Sequence, residues 1–402
     1  MYITEPEKKL PIAEDFDVLV AGGGVAGMAA ALAAAEKGAK VCLCEKEFAL
    51  GGLATLGLVV YYLPICDGEG TQVSFSIAEE LLKLSIKHGN YDISKNPWLS
   101  GGSAEEKKKK RYVCDYNPYM FAYLAEELLV KAGVRIFYGA SVCSTQVSDG
   151  KIEYVILESK SGRQAVKVKS VVDATGDADV CVFAGEETQK YSKGNMQAAW
   201  YYSIQNGKNK LRMQGALDKP IDAGEDAKPF DYPNFSGLDA WENSNVAIDA
   251  HGRILSDFLK NKENNDESEL TIVPTILQVR MTRKLVGASE LRKEQMFTHF
   301  DNSIGMIANW RKNGEVYEIP FDCLHGNKVK NLITAGRCIS ADEEMWDLTR
   351  VIPACAVTGQ AAGTAAAITD DFTSIDIKEL QAALSSRGVK LCLGDVYANF
   401  KK

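Results

Sequence analysis

The sequence predicts an α/β fold in which helices cover a largely parallel β-sheet. Three observations support this: residues 16–46 read as strand, glycine-rich turn, helix and second strand; later residues return to short apolar strand patterns; and Ala- and Gly-rich helical stretches lie near both ends of the chain. With 402 residues, the chain is long enough for two domains.

The first element pair meets at the turn Gly22-x-Gly24-x-x-Gly27, which is followed by a helix, a strand and the acid Glu45. Gly22 permits a tight turn, Gly24 lets the backbone approach a pyrophosphate, and Gly27 lets the helix pack closely on the sheet. Glu45 lies 18 residues past Gly27, near the spacing of an acid that binds ribose hydroxyls. This order predicts a dinucleotide-binding βαβ unit, whereas a glycine turn without a ligand would not require the acid.

An uncharged run from Val18 to Ala35 is as long as a membrane span. Its pattern changes from strand to helix and contains four glycines, so we predict buried sheet core and no membrane span. The opening residues lack the basic-then-apolar pattern of a signal peptide.

The net charge and the cysteine content predict which partners the protein binds and the compartment in which it resides. The net charge of −8 argues against a nucleic-acid-binding surface, and the basic run 107–111 is expected to be a solvated loop or helix edge. The ten cysteines contain no C-x-x-C pair, so we expect reduced thiols that act as small apolar side chains in a cytoplasmic protein.

The next elements follow from spacing and turn chemistry. Residues 72–90 have helical spacing, and residues 117–133 predict a helix with Asn117 as N-cap and Gly133 as stop. Residues 134–177 read as several strands joined by turns at Asp149-Gly150 and Ser161-Gly162. Residues 206–245 are polar and read as loops and short elements outside the main core, and residues near 265 read as an exposed turn. The C-terminal residues read as an amphipathic helix that stops at Gly388.

Two further segments could bind the same dinucleotide. The stretch 170–179 reads as a strand that ends in Ala174-Thr175-Gly176, which brings backbone close to a ligand at the carboxyl edge of the sheet. We interpret Asp177 and Asp179 as an N-cap and a first-turn acid rather than metal ligands. The stretch 331–340 reads as a strand, and the N-terminus of the helix that follows could face a flavin ring.

As a set, these motifs resemble those of the FAD-dependent oxidoreductase family, specifically the glutathione-reductase-like two-domain flavoproteins. The resemblance extends over nearly the whole chain. It is carried by Gly22-x-Gly24-x-x-Gly27 with Glu45-Lys46, Gly51-Gly52, and the stretches 173–179, 280–287, 317–321, 331–340 and 359–363, together with Arg350.

The resemblance implies a Rossmann-like FAD-binding domain of the glutathione-reductase type with an inserted α+β substrate domain. The expected FAD-binding domain is discontinuous, comprising residues 1–62, 112–180 and 326–402, with a helical and loop insertion at 63–111 and a substrate domain at 181–325. It also implies non-covalent FAD. The pyrophosphate would be held by Gly22, Gly24, Val25, Ala26 and Gly27, and the adenosine ribose by Glu45 and Lys46. The residues expected near the flavin are Gly51, Gly52, Leu53, Ala54 and Thr55, and Val142 is expected near adenine; those expected elsewhere around the cofactor are Ala174, Thr175, Gly176, Gly336, Arg337, Gln360 and Ala361.

Candidates for the chemistry come from the predicted substrate side. Arg283 and Arg350 could hold an anionic substrate or the electronegative edge of the flavin, with structural ion pairs as the alternative. His299 and Tyr317 are candidate proton donors or acceptors, but a structural role is favoured for each. The histidines show no cluster in the sequence, so no metal site is expected.

Departures from related enzymes shape the expected activity. The residues after Gly51-Gly52 contain Cys66 but no cysteine pair, which disfavours dithiol exchange, and no second Gly-x-Gly-x-x-Gly marks a nicotinamide domain. We therefore expect hydride transfer between a small-molecule substrate and flavin N5, with NADH or NADPH as a candidate exchanging reductant. A flavoprotein isomerase or hydratase without net redox change and an electron-relay subunit remain alternatives, as do an electron-transfer partner and a homo-oligomer.

Overall fold

The computed structural model describes residues 2–4, 6–216, 230–264, 267–398 and 400. Its main feature is a seven-stranded sheet in which neighbouring strands follow the order β5-β2-β1-β8-β7-β6, with β16 also paired to β8. These strands are β1 (Ile12–Ala21), β2 (Val41–Glu45), β5 (Arg135–Tyr138), β6 (Ser141–Ser148), β7 (Lys151–Ser159), β8 (Gly162–Asp173) and β16 (Leu332–Thr334).

The sheet is parallel where it meets the candidate site. β1 pairs in parallel with β2 and β8, β2 with β5, and β8 with β16, while β6, β7 and β8 form antiparallel pairs. The register places Ala21 opposite both Cys44 and Asp173, so the carboxyl ends of three neighbouring strands lie at one edge. The first part of β8 pairs with β7 and its last three residues pair with β16, which brings a strand from late in the chain to that edge.

The described helices are α1 (Val25–Glu36), α2 (Ile77–Ile86), α3 (Ala104–Lys109), α4 (Pro118–Lys131), α5 (Asp179–Ala184), α6 (Ala240–Asn264), α7 (Glu343–Thr349), α8 (Ile352–Ile368) and α9 (Ile377–Ser386). Helices α1 and α8 are almost fully buried and pack directly against each other. A Cβ added to Gly359 would lie 2.2 Å from the Ala26 carbonyl oxygen, and one added to Gly363 would lie 2.0 Å from that of Ala30. Because both contacts advance by four residues in the same direction, the two helices run side by side in parallel.

The remaining strands form smaller sheets. They are β3 (Tyr61–Tyr62), β4 (Cys114–Asp115), β9 (Thr188–Lys190), β10 (Tyr201–Gln205), β11 (Lys208–Arg212), β12 (Glu269–Ile272), β13 (Arg283–Leu285), β14 (Ser303–Ala308) and β15 (Val316–Pro320). Helix α6 packs on the β11-β10-β12 sheet, where Ala250 and Ile254 join Tyr201 in a small apolar core.

Several local predictions are confirmed. Helix α4 starts one residue after Asn117, whose side-chain oxygen accepts a hydrogen bond from the Met120 N–H at 3.0 Å. The run Val18 to Ala35 divides into β1 and α1, as its change of pattern predicted. Among the described residues, no single helix is long and apolar enough to cross a membrane; α7 and α8 reach that length only together and are bent by 86° at their junction.

The polar middle of the chain differs from the prediction. Residues 206–245 were expected to form loops and short elements; β11 is such an element, but the segment also contains the start of the 25-residue helix α6. The part of this segment at 217–229, and residues 265–266 of the predicted exposed turn, lie outside the described residues.

Candidate cofactor site

A cavity of about 630 Å³ lies at the carboxyl edge of the parallel sheet. The ends of β1, β2 and β8 contribute Ala21, Cys44 and Ala174 to its lining, and the first turns of α1 and α8 contribute Val25 and Ile352. Ligands of open α/β sheets bind at this position, because the loops that leave parallel strands diverge there.

The first glycine turn shapes one wall of this cavity. Gly22 has φ +99°, and a Cβ there would lie 2.6 Å from the Ala174 carbonyl oxygen. A Cβ on Gly27 would lie 1.8 Å from the Gly22 carbonyl oxygen, so Gly27 permits the close contact between helix and turn. Gly24 differs because a Cβ there would meet no described atom within 4 Å and would extend into open space. The three glycines therefore serve different purposes: Gly22 and Gly24 both line the cavity, and Gly24 is the one whose missing side chain leaves open space.

Two helix N-termini open into the cavity without a capping side chain. Gly24 is the N-cap of α1 and Val351 that of α8, and the described residues provide neither helix with a side-chain cap or a first-turn acid. By contrast, α4, α7 and α9 are capped by Asn117, Asp342 and Asp376. The free N–H groups and positive dipole ends of α1 and α8 thus point toward the same cavity, where they would stabilise negative charge.

Glu45 connects the end of β2 to the glycine turn. One carboxylate oxygen accepts a hydrogen bond from the Gly23 N–H at 2.7 Å, and the other accepts from the Glu47 N–H at 2.9 Å. Burial raises the pKa of the Glu45 carboxyl, while these two N–H groups oppose that shift. Glu45 also lines the cavity next to Lys46 and close to Val142, so its remaining lone pairs can accept hydrogen bonds from a ligand.

The second glycine pair lies directly against the first turn. The Gly51 N–H donates to the Gly23 carbonyl oxygen at 2.8 Å, and both Gly51 and Gly52 have positive φ. Thr55 is fully buried and its hydroxyl donates to the Leu50 carbonyl oxygen at 2.5 Å, which fixes the loop. Gly51, Gly52, Leu53 and Ala54 line the cavity, whereas Thr55 supports the loop from behind.

A second set of lining residues, which we call the side-chain wall, carries charged groups. The Arg337 guanidinium donates to the Val279 carbonyl oxygen and lies 3.4 Å from an Asp177 carboxylate oxygen. Arg350 lines the cavity and donates to Asp347 at 2.5 Å. This wall therefore holds cationic groups whose positions are fixed by neighbouring acceptors.

Asp179 also lines the cavity, and the pKa of its carboxyl is raised above the usual value. Burial, followed by the nearby Asp177 and Asp173 carboxylates, raises the pKa of Asp179 to about 6, although Arg283 opposes the shift through a 2.6 Å contact. The Asp179 side chain is 41% exposed, so solvent screens part of this repulsion. As expected, Asp179 lies in the first turn of α5, but Ala178 and not Asp177 is the N-cap.

The structure brings most of the predicted cofactor residues together. Those that line the cavity are Gly22, Gly24, Val25, Ala26, Glu45, Lys46, Gly51, Gly52, Leu53, Ala54, Val142, Ala174, Thr175, Gly176 and Arg337, together with Arg350 from the predicted substrate side.

Other predicted residues lie beside the cavity without lining it. Gly27, Thr55 and Gly336 hold the loops and helices in close contact. The Gln360 side chain donates to the Ser76 hydroxyl at 2.8 Å, and Ala361 is buried within α8. Arg283 donates to the Asp177 carbonyl oxygen at 2.8 Å, which places it behind the two acids.

His299 and Tyr317 are not among the described residues that line the cavity. The His299 imidazole faces Glu318 and Asp301, and the Tyr317 hydroxyl lies 3.5 Å from Glu315. Each side chain thus has a partner at its own location.

Sequence reasoning missed part of the lining. Thr275, Ile276, Leu277 and Val279 carry no recognisable pattern, and Gly237 and Asn243 come from a segment that was predicted to be loop. The Asn243 side-chain oxygen is buried without a hydrogen-bond partner among the described residues, so a bound molecule could supply the missing donor. Cys355, read from the sequence as a small apolar residue, lines the cavity on the first turn of α8.

Comparison with known proteins identifies the family. The model of the family "FAD dependent oxidoreductase" matches residues 17–216 and 186–384, two overlapping stretches that cover most of the chain. The chain therefore belongs to the FAD-dependent oxidoreductase family, which agrees with the resemblance seen in the sequence.

Individual relatives are more distant. A thioredoxin reductase from Ureaplasma parvum is 34% identical over 73 residues, which are 18% of this chain and 24% of that protein. The match thus spans about a quarter of the length of that curated relative. Among solved structures, a geranylgeranyl bacteriochlorophyll reductase-like protein from Thermoplasma acidophilum is 16% identical, with 93% of this chain and 82% of that chain covered and a TM-score of 0.43. The anhydrotetracycline hydroxylase of Streptomyces rimosus is 12% identical, with 93% and 66% covered and a TM-score of 0.44.

Proposed function

We propose that this protein binds FAD non-covalently in the cavity and transfers a hydride between a small-molecule substrate and flavin N5. The observation that carries the proposal is the meeting of two uncapped helix N-termini at one cavity, next to a glycine whose missing side chain leaves open space. Membership of the FAD-dependent oxidoreductase family supports the same cofactor.

The two helix ends suit the two electron-rich parts of FAD. The first turn of α1 and the open space at Gly24 would receive the pyrophosphate, because backbone N–H groups there have no other described acceptor. Glu45 would accept hydrogen bonds from ribose hydroxyls while it continues to hold the Gly23 N–H. The first turn of α8 would face the pyrimidine edge of the flavin.

The remaining lining residues would orient a substrate and balance charge. When bound, FAD supplies the hydride chemistry. Arg337 and Arg350 would stabilise negative charge at the side-chain wall. The Arg337 guanidinium is fixed by Val279 and Asp177, and that of Arg350 by Asp347. No histidine lies among the described lining residues, which agrees with the proposal of non-covalent binding.

The wider arrangement follows from the same proposal. We assign the FAD-binding part to residues 1–62, 112–180 and 326–402, in the manner of glutathione-reductase-like proteins, and the substrate part to 181–325. NADH or NADPH is proposed as a reductant that enters and leaves at the flavin, because the sequence has no second glycine fingerprint for a nicotinamide domain.

The visible absorption spectrum of the purified protein tests the cofactor, and anaerobic addition of NADH or NADPH tests the reductant. We expect flavin absorption bands, release of unmodified FAD on denaturation, and bleaching of the bands by one of the two nucleotides. Bands that persist would reject the nicotinamide reductant and leave FAD in place. A colourless protein that does not recover flavin absorption when incubated with FAD would contradict the proposed function.

A further inference from the structure

We propose that His299, Glu318 and Cys392 form a binding site for a divalent metal ion of the zinc class, separate from the cofactor cavity. His299 lies in the loop before β14, Glu318 lies on β15, and Cys392 precedes the short 3-10 turn Leu393–Asp395 near the C-terminus. One donor atom from each residue, an imidazole nitrogen, a carboxylate oxygen and a thiol sulfur, lies within 4.8 Å of the other two. None of the three lines the cofactor cavity.

The spacing of the donor atoms is close to what a small ion requires. The His299 Nδ1 atom lies 3.1 and 3.2 Å from the two carboxylate oxygens of Glu318. Ligands at 2.0–2.3 Å from a tetrahedral zinc ion lie roughly 3.3–3.8 Å from one another. Small adjustments of the side chains would therefore admit the ion without a change in the backbone.

Each candidate ligand is also oriented by a second group. Glu318 accepts hydrogen bonds from the Phe300 N–H at 2.8 Å and the Leu393 N–H at 2.7 Å. The other imidazole nitrogen of His299 lies 3.5 Å from an Asp301 carboxylate oxygen. The Cys392 sulfur accepts a hydrogen bond from the Asp395 N–H. A histidine that offers one nitrogen to a metal and the other to a carboxylate is a recurring arrangement in metal sites.

The local charge favours a cation. Glu318 is completely buried, while Asp301 and Asp395 lie beside the other two candidate ligands. Within the described part of the chain, none of these three carboxylates forms an ion pair with Lys or Arg; the His299 imidazole is the side chain that contacts Glu318 and Asp301. A buried carboxylate is costly without a counter-charge, and a divalent ion would supply one.

The donor set indicates which ion would bind. Nitrogen, oxygen and sulfur together suit zinc and related transition metals, whereas magnesium and calcium prefer oxygen alone. Three protein ligands leave a fourth position, which a water molecule can fill on the side where Asp301 is exposed. The ion would then join the C-terminal segment to the β14–β15 hairpin.

Zinc titration of the full-length, FAD-loaded protein tests this proposal. After dialysis against a chelator, we expect the protein to bind one Zn²⁺ per chain in competition with a chromophoric chelator. Cobalt should bind in its place and produce thiolate-to-metal absorption that is absent in Cys392→Ser. The affinity for zinc should fall by more than about 100-fold in Cys392→Ser and in His299→Gln, beyond the range for the loss of an outer partner.

Matched controls separate this site from adventitious binding. Cys143→Ser changes a half-buried cysteine on β6 and His251→Gln an exposed histidine on α6, and both should leave zinc affinity unchanged. If loss of Cys392 prevents folding, Asp301→Asn provides the test, because that side chain is fully exposed and its replacement should lower affinity by about 10- to 100-fold. The absence of stoichiometric zinc binding, or equal affinity in the wild type and Asp301→Asn, would overturn the proposal. Flavin absorption measured in the same samples keeps this outcome distinct from a failure to bind FAD.

Discussion

The two walls of the cofactor cavity are built from different parts of the polypeptide. In what we call the backbone wall, Gly22, Gly24 and Gly51 bring main-chain atoms to the cavity beside Glu45. In the side-chain wall, Arg337 and Arg350 come from segments late in the chain and are fixed by acceptors. We infer that the backbone wall determines affinity for the cofactor and that the side-chain wall determines its reactivity. Four substitutions test this division.

The largest effect is expected from Gly24→Asp on the backbone wall. The new carboxylate would occupy the open space and cap α1, so that it competes directly with the pyrophosphate. We expect FAD affinity to fall roughly 1000-fold, about 4 kcal/mol, through lost charge-assisted hydrogen bonds and like-charge repulsion. The FAD-free protein should gain only a few tenths of a kcal/mol of unfolding free energy from the new N-cap, because glycine is itself tolerated at that position.

Fluorescence titration with FAD and chemical denaturation of the FAD-free protein measure these two opposite effects. Gly252→Asp adds the same charge at an exposed position of α6 and should change neither affinity nor cofactor content. Unchanged FAD affinity in Gly24→Asp would disprove the assignment of α1 as the pyrophosphate site.

The second substitution, Gly363→Ala, acts on the contact between α1 and α8. The new methyl group would lie 2.0 Å from the Ala30 carbonyl oxygen, so the two helices must separate. We expect a loss of about 1–3 kcal/mol in unfolding free energy, as for other overpacked cores. Gly252→Ala on α6 meets no atom within 4 Å and should instead stabilise the protein by ~0.5–1 kcal/mol. Thermal and urea unfolding of both variants provides the measurement. Equal unfolding free energies of the wild type and Gly363→Ala would show that the contact between α1 and α8 tolerates a side chain.

The third substitution, Arg350→Gln, acts on the side-chain wall. It removes a positive charge that favours the more electron-rich, reduced cofactor, while it leaves the glycine turns intact. We expect the midpoint potential of bound FAD to fall by roughly 20–30 mV, equivalent to ~1 kcal/mol for two electrons. FAD affinity should change much less than in Gly24→Asp. Arg163→Gln removes a charge at the start of β8, away from the lining residues, and is the matched control for spectroelectrochemical titration. A drop in affinity without a change in potential would contradict the proposed division.

The smallest effect concerns pH. Because the pKa of Asp179 is raised to about 6, its carboxyl is neutral below that value and negatively charged above it. FAD affinity should therefore fall by roughly two- to fivefold as pH rises through this pKa, within the range of a solvent-screened charge pair. Asp179→Asn should remove this part of the dependence, which titrations about one pH unit on either side of the pKa can measure. Burial also raises the pKa of Glu45, which is present in both proteins, so a fall of equal size in the variant would assign the pH dependence to Glu45 or another group.

The sequence predicted the backbone wall better than the side-chain wall, for a physical reason. A close approach of backbone requires glycine at particular positions, and Gly22, Gly24 and Gly51 are visible as a pattern. Residues 275–279 contribute ordinary apolar side chains whose place in the cavity depends on the tertiary fold. The cluster of His299, Glu318 and Cys392 was invisible for the same reason, because its members are far apart along the chain.

Helix α6 shows a different limit. Val246, Ala250 and Ile254 form its buried face, but Trp241, Ile248 and Leu255 are exposed on other sides. The helix is nevertheless rich in Asn, Ser, Asp and Gly, which have low helix propensity and are typical of loops, and this composition concealed its apolar face. Helix α4, with its Asn117 cap and Pro118 at the first turn, has clear boundary signals and was predicted nearly to the residue.

The parallel course of α1 and α8 has a thermodynamic consequence for the polypeptide. Each helix N-terminus carries the equivalent of about half a positive elementary charge, and the ends of α1 and α8 both line the cavity, so they repel each other across it. The glycine contacts at Gly359 and Gly363 bring the helices close and increase that repulsion. An anionic ligand between the ends converts repulsion into attraction, and folding and loading then become linked equilibria. The cofactor would thus act as a structural counterion as well as a redox group, and its supply would determine how much of the chain persists in the folded state.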